Sequence, residues 1–405
     1  MPETCPRCGE RMTDTPGFTP WCPACEFNLL PGNRFGTAKA RQRQVDELMS
    51  ASSEEESTRD RRRRRSVLLI AGAVHGVPLA LALGGLVLVA AFRSADAMAG
   101  AFICLGLAIW LRPRFAKGNP DAVALHLEQL PELQRLLSSI CEGLETRVPQ
   151  RVELAPTFET TLTRLGLRQR RVLTIGAPMW LTLRRDERIA TITIELARDA
   201  TGDSRRNLFI RSAVDTLDRF LHLVDPTIGG GRRRLRDLAV VAVLMPYRLL
   251  FGWFVKRGAD RLFTATQRQR RAAEHRADLT AAALAGSRAT KSALGSALLG
   301  PGVMFTMNRA RLRREGLFEA LEAYLDGMPD LERKRLVGQS AALGTVDFAW
   351  RPSTASRIAV LESAGHQLPE LSSLSHPPLL DKELEPLIIA IEPSVKRLLS
   401  RMAWS

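Results

Sequence analysis

Histidine is scarce in this 405-residue chain: there are six, and no two lie within one helical turn of each other. That spacing excludes a metal site in which a single helix presents two imidazoles on one face. Cysteine is equally sparse, again six, with two close pairs and the isolated Cys104 and Cys141, too little for a chain-wide disulfide framework. No secretory signal opens the sequence, because the first apolar run comes only after Arg65. The glycine cluster Gly229-Gly230-Gly231 has no preceding strand and no following lysine and hydroxyl, so it reads as a flexible turn and not a phosphate cradle.

What is present is basic and unevenly apolar. Lysine and arginine outnumber aspartate and glutamate by 58 to 43, a net charge of +15, and 45% of residues are hydrophobic. A nucleic-acid partner would suit that charge, but arginine is spread over many helical faces as well as one block. Cytoplasmic loops beside an anionic membrane explain the balance more simply.

At the N-terminus, Cys5-x-x-Cys8, thirteen residues, then Cys22-x-x-Cys25 supply four thiolates in two knuckles. This is the donor set of a closed tetrahedral zinc site, and it predicts a structural zinc ribbon over residues 1–30. A cytosolic setting opposes disulfides, and a rubredoxin-like iron site is the minor alternative. Residues 31–65 read as a flexible basic linker: SASSEEEST has nothing with which to build a core, and RDRRRRR abuts the apolar run.

Residues 66–112 predict a transmembrane hairpin of two helices. Ser66 to Phe92 carries no charge over about 27 residues, more than the roughly 20 a bilayer needs, and AMAGAFICLGLAIWL forms a shorter second span. Arginines before the first span and at Arg112 and Arg114 after the second place both ends in the cytoplasm, so the protein is expected to be integral to the inner membrane. His75 lies inside the first span, and a neutral ring bonded within the helix pair is its expected state. Leu238 to Val255 is apolar over about 18 residues but has Pro246 and Arg248 at its middle, which favours a helix on the membrane or beside the hairpin.

Residues 113–405 read as a mainly α domain with a small β-sheet, an α+β fold. PDAVALHLEQLPELQRLLSSICEGL has an apolar stripe of leucines at Leu127, Leu130, Leu133, Leu136 and Leu137, which predicts an amphipathic helix. RVELAP, FETTLTRLG and RVLTIG predict three short strands. A helix over TITIELARDATGD follows, with Glu195 and Arg198 on one face, and a long helix near 264–285 carries Glu274 and Asp278.

The run RRVLTIGAPMWLTLRRDERIATITIELARDATGDSRR, followed by EHRADLTAAALAGS, resembles the HtpX-like family of integral-membrane zinc metalloproteases, relatives of the CAAX prenyl proteases. In that family the helix reads H-E-x-x-H and a downstream E-x-x-A-D supplies the third zinc ligand. The resemblance places Ile194 and Arg198 at the two histidine positions, Glu195 at the general base and Glu274 at the third ligand. Asp203 and Asp278 fall at the supporting acids. Near the end, RPSTASRI is similar to the family segment T-H-P-P-T-x-x-R-I: Arg351 and Ser353 depart from it, while Pro352, Thr354, Arg357 and Ile358 agree. The implied fold is zincin-like, with a sheet edge that receives an extended peptide.

Ile194 offers no lone pair, and Arg198 is a permanent cation that cannot serve as a ligand. A catalytic zinc is therefore not expected at this site. Arg198 is expected to take over the bridging role of the metal by pairing with Glu274, and with Glu195 or Asp278. The expected function is a membrane-anchored pseudo-peptidase, with Glu195 a vestigial general base, acting by binding a protein or peptide. Two alternatives stand beside it: an active metalloendopeptidase with atypical ligands, and a membrane-tethered zinc-ribbon adaptor. His275, His222, His126, His366 and His376 are read as core or surface residues.

Overall fold

A computed structural model of the chain describes residues 4–16, 18–29, 56–91, 94–112, 118–166, 168–201, 271–343, 352–364 and 379–402, with isolated positions between 209 and 257. Asp203, His222, Gly229 to Gly231, Leu238 to Val255, Arg351, His366, His376 and residues 31–55 of the expected linker lie outside these. The chain divides into two compact units: Met1–Ser53 with Ala116–Gly202 and Arg271–Ser405, and Glu54–Phe115 with Asp203–Arg270.

The second unit carries two apolar helices, α1 (Glu56–Ala91) and α2 (Ala95–Leu111). Ser94 caps α2 by accepting the Ala97 N–H at 3.3 Å. Gly85 lets the helices approach closely, since a Cβ there would meet Leu105 at 2.8 Å. Within α1, Leu68–Ala91 is 24 residues long and apolar enough to cross a membrane. Leu69, Leu79, Leu83 and Leu86 are exposed, unlike the core helix of a soluble protein. Two expectations change here. The helix starts at Glu56, so the arginine run is helical and not linker, as arginine's good helix propensity allows. His75 bonds neither within α1 nor to α2: its Nε2 lies 3.1 Å from the Phe209 carbonyl and 3.1 Å from Ser212 Oγ.

The first unit is mostly helical around a four-stranded mixed sheet, in the order β1 (Val123–Leu125), β2 (Arg151–Ala155), β4 (Arg170–Gly176), β3 (Thr161–Leu165). The central pair β2 and β4 is parallel and the outer pairs are antiparallel. Val152, Leu154, Val172, Leu173 and Ile175 are buried, as a central parallel pair requires. Every residue of β3 is half-buried, the signature of an edge strand.

The leucine stripe from 121 onward is not one helix. Val123–Leu125 pairs with Leu154–Val152 of β2, a 3₁₀ turn spans Leu127–Gln129, and α3 begins only at Pro131 (Pro131–Gly143). The physical reason is Pro131 itself: it is favoured in the first turn of a helix and pushes the preceding residue out of helical backbone. Glu383 then caps α3 from a distant part of the chain, accepting the N–H groups of Glu132 at 3.0 Å and Leu133 at 3.3 Å.

Strand β4 runs through α4 (Ala177–Thr182) into α5 (Arg185–Thr201). Gly176 is needed at this corner because a Cβ would sit 2.2 Å from the Thr157 carbonyl and 2.5 Å from that of Glu159. The TITI segment of α5 is β-branched and intrinsically poor helix. Burial of Ile189, Ile192 and Leu196 holds it, while the Thr191 and Thr193 hydroxyls donate to the carbonyls of Glu187 at 2.8 Å and Ile189 at 2.7 Å. At its start Glu187 accepts the Arg184 N–H at 3.0 Å and the Ser296 hydroxyl at 3.0 Å. That second bond ties α5 directly to α7 (Ser287–Ser296), which follows α6 (271–285) in the chain.

The remaining helices are α8 (Gly300–Arg313), α9 (Leu317–Asp326), α10 (Asp330–Leu343), α11 (Thr354–Ser363) and α12 (Leu380–Met402). The cysteine-rich segment belongs to this body. Phe18 stacks on Tyr324 of α9 with centroids 6.1 Å apart, and Trp21 and Leu29 are buried. The Leu29 carbonyl accepts from Gln339 Nε2 at 2.8 Å and from Arg335 at 3.4 Å, both on α10. Arg335 is locked in turn by a bidentate pair with Glu332, at 2.7 and 2.6 Å.

Candidate functional site

Two constellations carry chemistry in the first unit. The four cysteines form a closed cluster whose Sγ atoms all lie within 4.8 Å of one another. Cys5 Sγ is 3.5 Å from Cys25 Sγ, and Cys8 Sγ is 3.5 Å from Cys22 Sγ. A disulfide would need about 2 Å, whereas four thiolates around a zinc ion at about 2.3 Å stand roughly 3.8 Å apart. The cluster therefore fits a metal, and all four cysteines are free thiols. The knuckle turns are built for it: Gly9 takes φ 77°, while Glu26 adopts φ 58° without being glycine. Buried Cys22 and Cys5 anchor the site from inside, and the Cys5 carbonyl accepts the Gly9 N–H at 2.9 Å. Zinc at such a position would be structural, holding the two knuckles together with no open coordination position.

The second constellation lies where α5 crosses α6. Glu274 and Asp278 are one turn apart on α6 and both are buried, Asp278 completely, so they are not a solvated surface pair. The guanidinium of Arg198 stands between helices: one nitrogen contacts Glu195 Oε1 on its own helix, and the other is 2.8 Å from Glu274 Oε2. The side chain of Arg198 keeps only 21% of its surface exposed. Arg357 of α11 grips Asp278 with both arms, its Nε 2.8 Å from Oδ2, and approaches Glu274 at 3.7 Å. Burial by itself would lower the pKa of both arginines, but the facing carboxylates raise them above the ordinary arginine range. The described group thus holds three carboxylates against two guanidiniums. At about 4 Å and an effective dielectric near 20, each close pair is worth on the order of 4 kcal/mol before desolvation.

Ile194 is a packing residue. It packs with Ala281, Ala282, Leu294 and Leu361, closing the apolar end of the same α5–α6 seam. Glu195 has both oxygens engaged: Oε1 by Arg198, and Oε2 by the backbone N–H of Leu162 on edge strand β3 at 3.4 Å. A water approaching Glu195 would share these oxygens with Arg198 and the Leu162 N–H. Asp203 lies outside the described residues, so its place here is not part of this geometry.

Sequence patterns missed the clamp beside this site. Asp199, one turn after Glu195, accepts Arg164 of β3 at 2.9 Å and pairs with Arg171 of β4 at 2.8 Å. The pair Glu195/Asp199 therefore ties α5 to the sheet edge through both backbone and side chain. The only signal in the sequence was their four-residue spacing, which places both acids on the face of α5 that meets β3. Among the described residues, the four cysteines are the single group of three or more potential ligands close enough to share a metal.

His275, next to Glu274, takes no part in the hydrogen bonds of the network. Neither ring nitrogen has a hydrogen-bond partner among the described residues. Burial holds its pKa below the ordinary 6.5, with Arg357 and Arg271 adding to that and Asp278 and Glu274 opposing it. The folded chain therefore keeps this ring neutral in a range where the unfolded chain protonates it. Stability contributed by the neutral ring is complete above about pH 6.5 and is lost as the pH falls below it. Thermal unfolding at pH 7 and pH 5.5 should show a smaller acid-induced drop for His275→Leu than for the wild type. An equal drop in both would show that this ring is not the sensitive group.

Comparison with protein-family models, with curated proteins and with solved structures returns no match for this chain.

Proposed function

We propose that this protein is a membrane-anchored relative of the HtpX-like zinc metalloproteases that has given up catalysis and acts by holding a peptide or protein segment. The observation that carries this reading is the position of Arg198. Its guanidinium sits between Glu195 and Glu274, the two carboxylates that the resemblance assigns to the general base and to a zinc ligand. A fixed positive charge there opposes a divalent cation by about 8 kcal/mol at 4 Å and an effective dielectric near 20. Ile194 at the other ligand position is an apolar packing residue.

The binding part of the reading draws on strand β3. An edge strand can pair with an extended peptide through backbone groups alone, so loss of the metal need not remove that capacity. The arginine run in α1, the apolar Leu68–Ala91 and Arg112 after α2 support a hairpin anchored in the inner membrane with both flanks cytoplasmic. The cysteine cluster is a zinc ribbon in this reading, with zinc as its only metal.

Zinc content of the full-length protein tests it. Wild type should hold one zinc per chain, and the double variant Cys5→Ser/Cys22→Ser none, with no metal-dependent peptide cleavage in either. A stoichiometric zinc surviving in the double variant, together with cleavage abolished by Glu195→Gln, would establish a working peptidase with unusual ligands instead.

A further inference from the structure

Helix α8 leaves one of its faces uncovered. Val303, Met307 and Ala310 are buried in the body, while Phe305 and Leu312 on the opposite side are 69% and 68% exposed. These are the most exposed large apolar side chains among the described residues of this unit, comparable with Leu79 and Leu83 of the apolar helix α1. Phe305 and Leu312 are seven residues apart and so lie on one stripe, which exposed Pro301 and Arg309 complete. Exposed Arg313 and Arg314 flank its end, exposed Glu315 follows them, and no acidic residue lies within the helix itself.

Arginines in the last turn of a helix complement its dipole, which accounts for part of the charge. That reading leaves the two exposed apolar side chains without a reason. We propose that this face of α8 rests on an anionic bilayer surface, with Phe305 and Leu312 entering the headgroup–acyl boundary and Arg309, Arg313 and Arg314 facing lipid phosphates. Aromatic and leucine side chains beside arginine on one helix face are the arrangement that interfacial helices use. An acidic protein surface would satisfy the arginines but would leave the two apolar side chains standing proud of the surface unused. The inference rests on the membrane-anchored reading above.

The test is photo-crosslinking in the full-length protein, with benzoylphenylalanine at position 305 and, as control, at exposed Ile389 of α12. Nanodiscs of phosphatidylcholine are compared with and without phosphatidylglycerol. The expected result is a lipid adduct at 305 in the anionic discs and none at 389. Each exposed arginine near an anionic surface contributes about 1 kcal/mol, roughly fivefold, so Arg309→Gln/Arg313→Gln should cut the adduct on the order of twentyfold. Melting temperature checks that these surface changes leave the fold intact. Discs carrying the inserted protein but giving no lipid adduct at 305, or an adduct to a second protein copy, would overturn the inference. A chain that stays out of discs altogether would overturn the anchoring reading instead. Co-sedimentation of that soluble chain with anionic vesicles, present or absent, would then decide this one.

Discussion

Replacing Arg198 with alanine should destabilise the protein by about 3–5 kcal/mol, because Glu195 and Glu274 would remain buried with their common cation gone. Chemical denaturation of the full-length protein in detergent reads this directly. The lost energy belongs to the carboxylates left behind and not to the arginine alone, so the double variant Arg198→Ala/Glu274→Gln should recover a large part of it. Arg198→Lys should fall between, since a lysine keeps the charge but cannot bridge two carboxylates with a planar fork. Wild-type stability in Arg198→Ala would mean that the contact is a surface ion pair of little weight.

Ile194→His combined with Arg198→His should add one zinc ion per chain to the wild-type content. Ile194 faces Ala281 and Ala282, on the same side of α6 as Glu274 and Asp278, so an imidazole there enters the seam that Arg198 now fills. Removing the guanidinium takes the charge of Arg198 away from Glu274, the position that the resemblance assigns to the third ligand, and from Glu195 beside it. Either single change alone should leave the zinc content at the wild-type value, because one keeps the cation and the other keeps the hydrocarbon. Elemental analysis after dialysis distinguishes the cases. A folded double variant without added zinc would mean that the α5–α6 crossing is not the geometry of a metal centre, and the family reading would lose its main support.

These experiments concern a region that was only partly legible in the sequence. The cysteine pairs declare themselves because metal-ligand spacing is local, and β2, β3 and β4 are bounded by turn residues. Arg198 and Glu274 were brought together only by the resemblance, since nothing in either helix alone says which charged residue is buried. The strand Val123–Leu125 is hidden in the sequence because Leu125 leads straight into the helical leucine stripe, and its true partner in β2 is set by pairing some thirty residues away. The seat of the cysteine segment was invisible for the same reason. Glu332 and Arg335 look like any surface pair three residues apart until the Leu29 carbonyl arrives above them. Asp199 is a similar case, an acidic residue on a polar helix face whose role depends on two strands.

The bond from Gln339 to Leu29 joins residues 310 positions apart. On the ribosome, the first thirty residues emerge long before their docking site has been made, and Glu195 is synthesised 79 residues ahead of Glu274. Both must therefore wait in the nascent chain with their surfaces uncovered, because contacts of such separation are slow to close and reward folding only late. A message that stops short of α10 would release a polypeptide whose N-terminal lobe has nothing to sit on, which makes the length of the transcript itself a condition for this body to assemble.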